Sequence, residues 1–290
     1  MKFALAFFAA LLAASSACAQ VQVELRFARL QYVAYEPVLA TVQITNLAGR
    51  DIELHDENGQ HWFGFEVTAG EGRLLAPEMQ TSDPPLRIES GKTVTRKVNL
   101  TPAFPVQDLG AYHVRANVFF PDLNRFFYSQ TKVFQVTDAR PIWQRTVGIP
   151  DGARGAGEVR TYSLLSNRFP DHTKLYVRVE NKNTGAVYRT FPLGRVIAFD
   201  EPQAELDAQN QLHVLHCAAP RTWAYSHIGL NGELLSRATF METKSRPHLA
   251  RSSNGAVAVK GGMQDAPASR SARPGGAKLS DRPTTSPTDD

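Results

Sequence analysis

The chain has 290 residues, a formal net charge of +4 and two cysteines. The basic residues are scattered rather than interleaved with aromatics, so the pattern that tracks nucleic acid is missing and no nucleic-acid partner is expected. If Cys18 is removed with an N-terminal leader, Cys217 is the only cysteine left, no internal disulfide is possible, and side-chain packing alone must hold the fold.

The N-terminus reads as an export signal. Lys2 supplies a positive charge, Phe3 to Ala14 form an uncharged apolar run, and Ser15 to Ala19 are small residues. Ala17-x-Ala19 fits signal peptidase, with cleavage before Gln20 and residues 1–19 as the signal peptide. At ~1.5 Å per residue the apolar run spans about 18 Å, short of the ~30 Å hydrocarbon core, so it is too short for an anchor. A periplasmic or secreted location is expected. Cys18 offers an alternative: lipidation there would tether the protein to the outer membrane, the one route by which a membrane becomes a partner. Ser15 stands where lipoprotein processing favours Leu.

Residues 20–140 alternate apolar and polar side chains, as a half-buried strand requires. Val21, Val23, Leu25 and Phe27 share one face, and Val38, Ala40, Val42 and Ile44 share another. Further strands are expected at Trp62–Thr68, Thr93–Leu100, Tyr112–Phe119 and Lys132–Thr137, separated by turn-forming stretches such as Glu57-Asn-Gly59. Short strands without a long helix predict a two-sheet sandwich. Within them, Asp108-Leu-Gly110-Ala-Tyr112-His-Val114 resembles the D-x-G-x-Y-x-C stretch of immunoglobulin-like domains. The resemblance implies structural roles: Tyr112 as a corner tyrosine, Gly110 as the tight entry, and Val114 in place of the core cysteine, with Val42 as a packing partner. Trp62 departs from that pattern, because its parity is opposite to that of Phe63, Phe65 and Val67.

Turn residues between Asp138 and Gly157 predict a boundary near 145–157, and residues 150–263 form a second all-β domain. Leu175, Val177 and Val179 alternate before Asn183-Thr-Gly185. Asn231-Gly232 and Asn254-Gly255 sit between alternating segments and predict two-residue hairpin turns with positive φ at both positions. A faint repeat lays Tyr176…Phe191 over Tyr225…Phe240, and Asn210-x-Leu212-x-Val214 over Asn254-x-x-Val257-x-Val259. The spacing weakly resembles that of β-propeller blades and predicts an antiparallel meander or blade-like sheets. Residues 264–290 hold almost no large apolar side chain and are expected to be disordered.

No catalytic, cofactor or metal motif is found. His213 and His216 point to opposite faces of a strand, and His213 and Cys217 stand about 13 Å apart along one face, so neither pair shares an ion. Cys217 reads as a small buried residue. Trp223, Tyr225 and His227 share a strand face and are the candidates for binding by stacking. The fold class is all-β, and the expected function is that of an exported, non-enzymatic protein recognising a protein or polysaccharide of the cell envelope. Two alternatives remain. One is a carbohydrate-active or peptide-cleaving enzyme whose pocket gathers Asp200, Glu205 or Asp207 with His213 or His227. The other is a protease inhibitor presenting the Gly70–Pro85 loop. N-terminal sequencing of the exported protein should start at Gln20; a chain starting at Met1 would refute export by cleavage, and a lipid-modified Cys18 would establish the anchored form.

Overall fold

The computed structural model describes residues 20–265 except 71, 80, 81, 154, 198 and 199. The expected signal peptide with Cys18, and residues 266–290 of the expected tail, lie outside the described residues; Gln264, the first residue of that tail, is instead in a strand paired with Phe240. Apart from a 3-10 turn at Pro121–Leu123, the regular structure among the described residues is strand. The protein is all-β, as its sequence pattern implies.

The first group of strands is β1 (Val21–Phe27), β2 (Gln31–Val33), β3 (Leu39–Asn46), β4 (Ile52–Leu54), β5 (Phe63–Ala69), β6 (Arg73–Leu75), β7 (Leu86–Ile88), β8 (Thr93–Asn99), β9 (Gly110–Phe120), β10 (Arg125–Tyr128) and β11 (Lys132–Thr137). One sheet runs β1-β3-β8 and another β2-β11-β9-β5-β6, with β10 also on β9; β4 and β7 pair separately. All pairs are antiparallel except β2 with β11. The inward positions of β3 (Ala40, Val42, Ile44) and of β9 (Val114, Ala116, Val118) are each 0% exposed and belong to one core. Tyr112 is buried too, stacked on Phe134, and its hydroxyl donates to the Asp108 carbonyl at 2.8 Å. Gly110 enters β9 at φ +139°, a backbone conformation that strains any residue with a Cβ.

Trp62 corrects the parity argument. It is fully buried in this core, because it precedes β5 and is not bound by that strand's alternation. Its indole N–H donates to the Asp83 carbonyl at 3.1 Å, and its backbone N–H donates to Asp56 Oδ1 at 2.9 Å.

The second group is β12 (Arg140–Gly148), β13 (Val159–Arg168), β14 (Thr173–Asn181), β15 (Val187–Val196), β16 (Gln203–Leu206), β17 (Leu212–Ala219), β18 (Thr222–Ile228), β19 (Leu234–Met241), β20 (His248–Arg251), β21 (Val257–Lys260) and β22 (Met263–Gln264). These make a four-stranded meander β12-β13-β14-β15, a sheet β16-β17-β18-β19-β22, and the hairpin β20-β21. The meander and the second sheet share a core that includes Leu164, Val177, Leu212, Val214 and Ile228. Leu215, Cys217 and Trp223 form a smaller cluster on the other face of the second sheet, against Leu249 and Val259 of the β20-β21 hairpin.

Two expectations are revised. The stretch expected to hold the boundary contains β12, paired with β13 from Arg140 to Gly148, so the change of sheets falls near residue 138. Arg160, next to it on β13, is 2% exposed and pairs with Glu158 at 2.6 Å. At Asn231-Gly232 and Asn254-Gly255 only the glycine has positive φ. The Gly232 N–H donates to the Gly229 carbonyl and the Gly255 N–H to the Ser252 carbonyl, so both are ordinary turns closed by a left-handed glycine. Asn58-Gly59, by contrast, has positive φ at both positions, and Glu57 and Gln60 exchange both backbone bonds.

The two groups meet through Val33, Ala139, Leu165 and Tyr176, which form one buried cluster. Arg178 donates to the Ala34 carbonyl at 2.9 Å and lies over the Tyr35 ring. Glu36, 3% exposed, accepts from Arg29 at 2.7 Å and from the Val33 N–H at 3.1 Å, which satisfies a carboxylate that burial would otherwise make costly. Tyr176→Ala should lower stability by about 3 kcal/mol and split calorimetric unfolding into two transitions. One unshifted transition would show that the cluster does not couple the groups.

Candidate functional site

Among the described residues, two places gather chemistry. The first is a groove of about 790 Å³ between the two larger sheets of the first group. β8 is an edge strand of its sheet, and β5 pairs with β6 only from Val67 to Ala69, so backbone along Phe63–Glu66 faces the same opening. Phe63, Phe65, Phe126 and Tyr128 supply its aromatic lining, and Lys97 and Asn99 line it from β8. Arg96 packs over the Trp62 and Phe63 rings and pairs with Asp83, fixing one wall. The Gly70–Pro85 loop contributes Pro77, Met79 and Asp83 to the wall.

The second place is at one end of the β16-β17-β18 sheet. Antiparallel pairing sets His213 opposite His227 and Leu215 opposite Tyr225. The two imidazoles stack with centroids 4.1 Å apart and 16° between planes. Asp207, just past β16, brings Oδ2 to 3.1 Å from His213 Nε2 and to 3.8 Å from His227 Nε2. Its Oδ1 accepts from the N–H groups of Gln209 and Gln211, both at 2.9 Å. On the far side of His213, Nδ1 lies 2.7 Å from the Tyr225 hydroxyl. Tyr162, reaching from β13, donates to the carbonyls of Asn210 and Gly229 and ties together the two loops that frame the cluster.

The electrostatics follow from this arrangement. Burial opposes ionisation of Asp207, but the Gln211 N–H, the His213 ring and the Gln209 N–H outweigh it and hold the carboxyl below its usual range. Burial, with His213 adding to it against Asp207, depresses His227. Burial, then the Asp207 charge, pushes the Tyr225 phenol up against the opposing Ser236 bond.

Of the stacking candidates, Trp223 is 1% exposed and its indole N–H donates to Glu242 at 3.3 Å, so burial takes it out of an exposed aromatic row. Tyr225 and His227 are partly exposed and belong to the Asp207 cluster. Cys217 is buried, and that burial raises its thiol pKa. Asp200 pairs with Arg246, and Glu205 sits opposite His213 on β16. His213 and His216 do point to opposite faces. What reading along a single strand missed is the neighbour across the hairpin. The Ala219-Pro-Arg-Thr222 turn, with Arg221 left-handed at φ +59°, fixes that pairing and was the available signal.

No family model matches the chain, and no curated protein does. Among solved structures it is similar to Spo0M, a sporulation control protein from Bacillus subtilis, at 10% identity and a TM-score of 0.27, over 58% of this chain and 82% of that one. A likeness of that size carries no argument.

His216 gives the pH dependence of this region. It is 0% exposed, neither ring nitrogen has a well-aligned hydrogen-bond partner among the described residues, and burial, outweighing the nearby Arg195 backbone, lowers its pKa to about 4. The unfolded chain therefore binds the proton first, and stability falls as pH drops from about 6.5 towards 4. His216→Leu should be at least as stable as the wild type at pH 7, and its advantage in urea unfolding should grow by about 3 kcal/mol by pH 4. A constant difference would rule out His216 as the titrating group.

Proposed function

We propose that the chain is an exported binding protein of the cell envelope that takes an extended stretch of another macromolecule into the groove beside β8. The observation that carries this reading is the conjunction of a strand edge with the partly exposed rings of Phe65 and Phe126 and the exposed ring of Tyr128 in one opening. An edge strand offers unpaired N–H and C=O groups to an added strand, and alternate side chains of the guest reach pockets on either side. Aromatic faces suit a sugar chain as well as a peptide.

On this reading the first group of strands is an immunoglobulin-like sandwich. The Tyr112–Asp108 bond, spanning four residues, supports it as the corner expected from the sequence resemblance. The second group consists of blade-like meanders. The matched segments headed by Tyr176 and Tyr225 both start on the third strand of a sheet, which supports the repeat.

A second reading, an enzyme with its site in the second group, is favoured by one observation: Asp207, His213 and His227 come together. The test is binding by the immobilised mature protein and by Phe65→Ala/Tyr128→Ala and Lys97→Glu variants. Purified envelope polysaccharide and solubilised envelope proteins are offered in parallel. A groove ligand should lose about tenfold or more in affinity with the aromatic pair removed. Equal retention by wild type and variants would refute the groove as the binding surface.

A further inference from the structure

We propose that Asp207, His213 and His227 bind a divalent transition-metal ion of the zinc class, a site independent of the groove. Two imidazoles and a carboxylate are the donor set that zinc and its neighbours prefer, with a fourth position left for water or an incoming group. One ligand atom from each residue lies within 4.8 Å of the others. With metal–ligand bonds of about 2.0–2.2 Å, ligand atoms around one ion stand roughly 3.3 Å apart, and the measured approaches to Asp207 Oδ2 are 3.1 and 3.8 Å.

The surroundings are those of a supported site. Both N–H donors on Asp207 Oδ1 leave Oδ2 directed at the imidazoles. The Tyr225 hydroxyl, 2.7 Å from His213 Nδ1, can either donate to that nitrogen or accept from it. Without a metal, the contact with the Asp207 carboxylate calls for the proton on His213 Nε2; because the Tyr225 hydroxyl can accept from Nδ1, the proton can sit there instead when an ion takes the Nε2 lone pair, the form a metal requires. His227 Nε2 is a buried atom with no hydrogen-bond partner among the described residues, and a metal bond would satisfy it. The two rings are nearly parallel, so sharing an ion requires His227 to turn about its side-chain bonds. His227 can do so: its side chain is 21% exposed, against 6% for His213 and 8% for Asp207, and this also gives the ion its way in.

The experiment is titration of the metal-stripped mature protein with Zn²⁺, read by calorimetry and thermal shift, and with Co²⁺, read by its visible absorption. One equivalent should bind, Tm should rise, and cobalt should give the intense bands of a low-coordinate site; Mg²⁺ and Ca²⁺ should do none of this. His227→Ala, checked for native circular dichroism, should abolish the binding, and His227→Cys should restore part of it. Tyr225→Phe should weaken it by about 10- to 100-fold, the usual loss when a supporting partner of a ligand is removed. Zinc bound with equal affinity by His227→Ala, or no saturable binding by the wild type, would overturn the proposal.

Discussion

The pairing of β17 with β18 is the constraint on which the C-terminal half depends. A strand has two faces, and here both are occupied: Leu212 and Val214 fill the core shared with the meander, while Leu215 and Cys217 face the β20-β21 hairpin. A slip of one residue would exchange these sets and carry Asp207's two imidazole neighbours to opposite sides of the sheet. Apolar burial thus fixes the register, and the register brings the polar cluster together. The chemistry is a by-product of packing, secured by the turn at Pro220-Arg221.

The same economy governs the first group. Cys217 is free, so no disulfide involving it constrains the chain, and cohesion comes from apolar side chains and from buried polar groups that are satisfied. Asn46 shows how the polar part works. It is 0% exposed, and its amide donates to the carbonyls of Arg50 and Ile88 while its oxygen accepts from the Ala48 N–H. It thereby holds the turn after β3 against β7. Glu36 does the same between Arg29 and the Val33 backbone. His216 is among the buried groups left without a hydrogen-bond partner among the described residues, as are the Tyr32 and Tyr176 hydroxyls, and its titration makes the second core sensitive to acid.

The strands with one buried face could be read directly from alternation, as β1, β3 and β9 show. β12 could not. It is the edge of its sheet and almost wholly exposed, so it lacks the apolar beat that identifies a strand, and its Arg-rich, Pro-containing sequence reads as a linker. Trp62 was misread for a related reason: parity applies within a strand, and Trp62 lies one residue outside. The Asp207 cluster was out of reach because no single strand contains it. Its members come from a turn and two strands, and only the hairpin register relates them. The groove is harder still to read, since it lies between sheets whose strands are distant in sequence.

Only Asp138 and Ala139 separate β11 from β12, and Ala139 is itself packed in the cluster that joins the groups. A connector that short has no slack. The chain passes from one group to the other through covalent backbone and a buried seam at once, so a change in the packing around Ala139 is felt by the last strand of the first group and the first strand of the second together.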